Sequence, residues 1–426
     1  MHTALLDHLR CPFCGTRLAL VDTGATVGDD RVIAEGVLGC ECCAFPIVAG
    51  IPVLIADEPT RAAMHALEAG RSHDALLTLL GLDGERAERF ASLQASGPAA
   101  TYREALDILS PDAEGRYFLY RFSDPTFRPA EAVAQALGRD HGLAAGPILD
   151  LCGGSGHLTR ALTRLASSNA GNAGNAGNAS TPHTVVADLY FWKLWLATRF
   201  TAPEADAVCC NADAPLPFVR ELFSMVVLMD AFPYIWHKRL CADEMSRVTT
   251  RDGVLLLPHL HSALGENASA GDPLSPAAYQ TLFALRRPRL FSDARLFDGL
   301  VDQGVVDLTA DLSPDALGDE PSLTLVASGD DRLFRRHDVP VPMEPTGTLI
   351  LNPLYVLTRE HGRSVLTLRF PTPEYADEFA DCRRYLPDEV TVEADLTGPL
   401  VPGLFGDRYE DLRRRCVLID APARYC

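Results

Sequence analysis

Positive charge is what this sequence has least of. Its 38 lysines and arginines stand against 57 aspartates and glutamates, a formal net charge of −19, and only Lys193 and Lys238 are lysines. So acidic a chain repels phosphate backbones in the mean, which sets nucleic acid aside as an expected partner. Long apolar runs are missing too: none approaches the roughly 20 residues of a membrane span. The opening stretch MHTALLDHLR lacks the basic-then-apolar layout of a secretion signal. No membrane partner is expected, and the expected location is the cytoplasm. What the chain does have, 47% hydrophobic residues over 426 positions, is ample for more than one core.

Five cysteines, Cys11, Cys14, Cys40, Cys42 and Cys43, crowd into the first 43 residues. Cys11-Pro-Phe-Cys14 and Cys40-Glu-Cys-Cys43 read as two Cys-x-x-Cys knuckles, each able to present two thiolates to one tetrahedral ion. A structural zinc held by Cys11, Cys14, Cys40 and Cys43 is predicted, with Cys42 as the alternative to Cys43. An extended run, FPIVAGIPVLIADE, follows the second knuckle.

The stretch PILDLCGGSGHLTRA (147–161) organises the rest: an apolar run ends in Asp150, glycines follow, and helix formers resume. It reads as strand, tight loop and helix. Gly153, Gly154 and Gly156 let a ligand approach the backbone at the mouth of a parallel sheet. Thr159 stands where a dinucleotide motif has its third glycine, and no Lys-Ser/Thr pair follows, so phosphate loops are disfavoured. The pattern resembles the first motif of class I S-adenosylmethionine-dependent methyltransferases, matched by Asp150, Cys152, Gly154 and Gly156, with Cys152 replacing a glycine. The segment LLDHLRCPFC, with the Gly-Ile-Pro run, resembles the zinc-ribbon family that includes the activator subunit of tRNA, ribosomal-RNA and release-factor methyltransferases.

These resemblances imply a doubly wound, seven-stranded α/β sheet and S-adenosyl-L-methionine as cofactor. They also imply a non-catalytic ribbon that covers apolar surface and adds a strand to the sheet. Asp188, ending TVVAD, would accept from both ribose hydroxyls, with Leu189 beside it. It lies 38 positions after Asp150, and the Gly-Asn-Ala repeat of 168–181 reads as a 14-residue surface insertion. Asp213, with Ala214, resembles the family's acid beside the adenine. Asp230 ends the fourth strand and joins the cofactor-binding candidates. The fifth strand is VLLLPHLH, and VVDLTADL with SLTLVAS suits a terminal antiparallel hairpin.

In-line methyl transfer needs placement more than a base. Where a base is used, histidine has the suitable range, and His237 and His261 are the catalytic candidates. Tyr234, Trp236 and His259, in the same region, are the substrate-binding candidates. Tyr117, Tyr120 and Arg121 are placed near the cofactor carboxylate. The expected organisation is a zinc ribbon over 1–58, a helical connector and cofactor cap over 59–134, the methyltransferase domain over 135–330 and an α+β appendage over 331–426. The expected activity is methyl transfer to a small-molecule metabolite. The alternatives are a protein, peptide or RNA methyltransferase with its activator in cis, and a non-catalytic cofactor-binding scaffold. Asp-Ala-Phe-Pro after strand four, in place of Asn-Pro-Pro-Tyr, gives no support for amide or base-nitrogen methylation.

Overall fold

Seven strands form the central sheet of the computed structural model: β1 Ile148–Leu151, β2 Thr184–Asp188, β3 Asp206–Cys209, β4 Phe223–Val227, β5 Thr249–His261, β6 Pro288–Ser292 and β7 Ser322–Ala327. The structure describes residues 1–24, 26–140, 146–172, 184–266, 270–339, 346–360, 362–380, 383, 385–394 and 396–426. The strand order is β3-β2-β1-β4-β5-β7-β6. The first five strands are parallel, and β7 runs antiparallel to both β5 and β6. β1 to β4 are buried along their whole length. Their unbroken apolar runs therefore mark a sheet covered on both faces. This is an α/β fold with a mixed seven-stranded sheet. The order reverses between β1 and β4, and a crevice opens beyond the carboxyl ends of these strands.

The terminal hairpin differs from expectation. Pro288–Ser292, not the VVDLTADL segment, pairs with β7, in the register Pro288 to Ala327 through Ser292 to Leu323. Val305–Asp307 pairs instead with Arg336–Asp338 in a separate two-stranded ribbon. Proline at the start of an edge strand costs no ladder bond, yet in the sequence it reads as a turn.

The N-terminal strands Ala19–Val21, Ile33–Gly39, Ala44–Val48 and Ile51–Pro52 form a small antiparallel sheet that docks on the free edge of β3. Val53 bridges Cys209 in parallel, and the Leu54 N–H donates to the Cys209 carbonyl at 2.7 Å. Arg10 N–H donates to Pro217 O at 2.9 Å and Val219 N–H to His8 O at 3.0 Å. Leu5, Leu9, Leu38, Phe45 and Leu54 share one apolar core with Val208, Phe218 and Phe223. An edge that would otherwise expose unpaired main-chain groups is thereby covered.

Helices Glu58–Glu68, Ser72–Leu80, Gly84–Ala95 and Tyr102–Leu109 follow. The last begins in a capping box of Thr101 with Glu104. Helix Ala113–Tyr120 lies over the glycine loop, and Phe127–Asp140 packs against His157–Asn172 through Val133, Leu137, Leu162 and Leu165. From residue 173 on, the expected Gly-Asn-Ala loop lies outside the described residues. The C-terminal part has its own core. It comprises a pair, Thr348–Leu351 with Leu418–Ala421, a three-stranded sheet of Tyr355–Glu360, Arg363–Leu368 and Glu389–Val392, and a helix Pro373–Glu378.

Candidate functional site

The turn after β1 is built by main-chain conformation. Gly154 and Gly156 take φ of 56° and 82°, in the left-handed region. A β-carbon on Gly156 would lie 2.6 Å from Thr201 Oγ1, so glycine is required for space as well. Cys152, where the resembling motif has glycine, holds φ of 59° despite its side chain. Asp150 braces the turn from below: its buried Oδ2 accepts from Thr159 Oγ1 at 2.6 Å. Burial, with a smaller contribution from the charge of Asp188, pushes the Asp150 carboxyl up to about 7. At the end of β2, Asp188 Oδ2 accepts from Gly154 N–H at 3.0 Å and Oδ1 from Tyr190 N–H at 2.9 Å. Each oxygen keeps a second lone pair for a ligand.

A cleft of about 660 Å³ opens above this turn. It falls in the size range of pockets for nucleoside-sized ligands. Asp150, Cys152, Gly153, Gly154, Asp188, Leu189, Asp213, Asp230, Tyr234, His259 and His261 line it, as do Tyr117 and Arg121. Gly156, Ala214, Trp236 and His237 do not. Gly156 shapes the turn from behind. Trp236 is 79% exposed. His237 donates its main-chain N–H to Asp213 Oδ1 at 2.6 Å and turns its ring Nδ1 to the Asp213 carbonyl, so it steadies Asp213 from outside the cleft. Tyr120 faces away and packs edge-on against Tyr375 at 5.5 Å.

A polar cluster closes the end of the cleft beyond β4 and β5. Asp230 Oδ2 accepts from Tyr117 OH at 3.0 Å and lies 3.2 Å from Arg121 Nη2, while Oδ1 is 3.0 Å from His261 Nε2. Arg121 also pairs with buried Asp124 at 3.0 Å. His259 Nδ1 meets Asp293 Oδ2 at 3.0 Å, and Asp293 Oδ1 accepts from Thr324 Oγ1 at 2.6 Å. Burial alone would raise the Asp230 carboxyl, but the bond to His261 and the charges of Arg121 and His259 hold it well below the usual carboxylate range. Burial alone would lower His259; Asp293 and Asp230 more than reverse this and push it up to about 9.

Sequence reading missed Phe118, Asp124, Lys193, Asn211 and Phe379, all of which line the cleft. Phe118 lies over the loop, 3.1 Å from where a Gly154 β-carbon would stand. Lys193 pairs with Glu114 at 2.6 Å and sits 5.0 Å from the Phe118 ring centre. Phe379, from the C-terminal part, stacks on Tyr117 at 5.9 Å. No local motif signals a contact made across so much chain.

In the ribbon, Cys11, Cys14, Cys40 and Cys42 come together. Their sulfurs lie 3.8 Å (Cys11 to Cys42), 3.7 Å (Cys14 to Cys40) and 3.6 Å (Cys40 to Cys42) apart. The edge of a tetrahedron with Zn–S bonds of about 2.3 Å is about 3.8 Å, so four thiolates fit one zinc. Cys42, the alternative to Cys43, is the one that stands with the other three, and its sulfur lies 3.4 Å from that of Cys43. The Cys43 carbonyl accepts from Cys40 N–H at 2.9 Å, closing the turn, and Cys43 leads into the next strand against the core.

No family model matches the chain, and no curated protein sequence does. Among solved structures it is similar to a chain from the complex of the Haloferax volcanii Trm112 methyltransferase activator, at 18% identity over 47% of this chain and 90% of that one, TM-score 0.33. It is similar to a SAM-dependent methyltransferase from Aquifex aeolicus, at 12% identity over 49% and 96%, TM-score 0.33. A TehB-like SAM-dependent methyltransferase from Corynebacterium glutamicum is similar at 13% identity over 57% and 96%, TM-score 0.29.

Proposed function

We propose that this chain is an S-adenosylmethionine-dependent methyltransferase that acts on a small-molecule metabolite by in-line substitution. The observation that carries the reading is Asp188, whose carboxylate is held at the mouth of β2 by the N–H groups of Gly154 and Tyr190, beside the glycine turn. Two oriented oxygens suit a vicinal ribose diol. Asp213, steadied by His237, would take the adenine amino group, and the Cys152–Gly154 backbone the body of the cofactor. The cofactor supplies a methyl carbon on a sulfonium. The chain's own residues orient the acceptor and exclude water: Phe118 and Phe379 roof the cleft, and Tyr117, Arg121 and Asp230 wall its far end. This roofing favours a small acceptor over a polymer, and the net charge of −19 disfavours RNA.

Calorimetry with S-adenosylhomocysteine tests the reading. Wild type should bind, and Asp188→Ala should weaken binding by about 1.5–3 kcal/mol, the range for hydrogen bonds to a charged group. Absence of binding would favour a scaffold. Labelled cofactor incubated with the protein and a fractionated cell extract tests the acceptor. Label among small molecules is expected; label in protein would promote a protein or peptide substrate, and label in RNA alone would overturn the choice.

A further inference from the structure

We propose that Asp230, His259 and His261 form a second metal centre, which binds one divalent transition-metal ion at the far end of the cleft. It rests on the geometry there and not on the identity of the cofactor. Asp230 stands in the turn after β4, and the two histidines lie in the last turn of sequence of β5. The register of β5 slips between Leu257 and Leu260, and His259 in that bulge takes φ of 55°, as Asp230 takes 60°. Bulges and left-handed backbone at side-chain-bearing residues are kept where a side chain has to be aimed. The result is that one ligand atom from each of the three comes within 4.8 Å of the other two. Asp230 Oδ1 and His261 Nε2 are 3.0 Å apart. Neighbouring ligands on an ion with bonds of about 2.1 Å stand roughly 3 Å apart.

The surroundings are arranged as they are around a metal. His259 Nδ1 meets Asp293, itself fixed by Thr324, so an ion that displaces the proton on Nε2 would take that lone pair. Tyr117 and Arg121 hold Asp230 by Oδ2, which leaves Oδ1. His261 Nδ1 is buried with no hydrogen-bond partner among the described residues. Three carboxylates, Asp124, Asp230 and Asp293, meet one permanent cation, Arg121; once an incoming ion displaces any proton from the two imidazoles, an excess of two negative charges is left, the charge of one divalent ion. Two imidazoles and one carboxylate suit zinc, iron, cobalt or manganese better than magnesium or calcium. Among the described residues three supply ligands, so positions remain open toward the cleft. With the proposed activity, a substrate hydroxyl bound there would lose its proton to solvent more readily. Its oxygen would then form the bond to the methyl carbon as the carbon–sulfur bond breaks and the sulfonium becomes a thioether. The acceptor class this favours is a small hydroxylated molecule with a second oxygen able to reach the same ion.

The test uses the full chain with its cysteine cluster loaded with zinc, titrated with Mn²⁺ and followed by the loss of the free-ion electron paramagnetic resonance signal. One Mn²⁺ per chain is expected. His259→Ala should weaken it at least tenfold, and Asp293→Asn, which touches no ion, about tenfold. Unchanged zinc content and melting temperature identify a loss that is local. Wild-type crystals soaked in Mn²⁺ should show anomalous scattering between Asp230, His259 and His261, which needs no variant. Failure of the wild type to bind Mn²⁺, Co²⁺ or a second zinc, or an anomalous peak elsewhere, overturns the proposal. If the methyltransferase reading alone is wrong, S-adenosylhomocysteine fails to bind while Mn²⁺ still does.

Discussion

The ribbon and the C-terminal part flank the same sheet but are attached by different physics. The ribbon is joined by main-chain bonds from Leu54 and Arg10 and by an apolar core continuous with that of β3 and β4. The C-terminal part has a core of its own, shares only Ile350, Ile419, Ala421 and Tyr425 with the core of the connector helices, and is held by two main-chain bonds, Tyr102 N–H to Arg424 O at 2.7 Å and Arg103 N–H to Tyr425 O at 3.3 Å, and by side chains. Arg160, in the helix after the glycine turn, donates to the Asp420 carbonyl and lies 3.2 Å from Asp420 Oδ1, while Asn352 Nδ2 donates to Ser123 O at 3.2 Å. Tyr425 stacks on Tyr102 at 5.3 Å. One region caps the edge of the sheet through the Val53 and Leu54 contacts with Cys209; the other packs on the connector helices and lends Phe379 to the cleft. The ribbon should therefore melt with the sheet, and the C-terminal part should be separable.

The sharpest way to break the comparison is Cys11→Ser with Cys14→Ser. Structural zinc of this kind carries on the order of 10 kcal/mol of apparent binding free energy in small metal-folded domains. Metal analysis should find the zinc gone, and calorimetry should show the main unfolding transition, not a minor one, shifted down. Cys42→Ser should do the same and Cys43→Ser should keep its zinc; the reverse outcome would restore the original ligand set.

Arg160→Ala comes next. It removes one of the cations that meet Asp420, which keeps Arg164, Thr346 and Gly347, and should cost about 2 kcal/mol, in the range for lost hydrogen bonds to a charged group. A separate early melting step with zinc retained is expected; a single step at lower temperature would mean the C-terminal part is not separable.

Asp150→Asn gives a pH-dependent effect within the sheet that both regions flank. The Asp150 carboxyl has a folded value of about 7 against 3.8 unfolded. The folded state therefore holds the extra proton between these values, so wild-type stability relative to Asp150→Asn should fall as pH rises from about 4 to 7 and then level off. Urea denaturation at a series of pH values checks this, and a flat difference would show that Asp150 titrates normally. Smallest is Cys152→Gly, which should relieve the left-handed backbone and change stability by no more than about 1 kcal/mol, in the stabilising direction. Thermal melting reads it.

Local patterns were legible in the sequence. The glycine turn, Asp188 and the two cysteine pairs announce themselves because backbone freedom and ligand spacing are set by residues a few positions apart. Cys42 was not separable from Cys43, since the choice hangs on one main-chain bond in the turn. Strand β6 was hidden by the proline that an edge tolerates. Phe118 and Phe379 were invisible because neither has a motif and both gain meaning only through long-range packing. His237 looked like a base from its position after β4; its ring instead completes the frame around Asp213.

The pairing of Val53 and Leu54 with Cys209 happens within one chain, and that changes the arithmetic of docking. The helices from Glu58 to Asp140 tie the ribbon to the sheet, and a tether that can span its two sites holds them at an effective concentration on the order of 1 mM. A surface with a dissociation constant of ~10 μM between separate chains would then stay docked about 99% of the time. Dilution cannot part the ribbon from its sheet, nor can a competing enzyme borrow it. Substitutions on that surface that would scatter a two-chain complex should here change only the small fraction that is momentarily open.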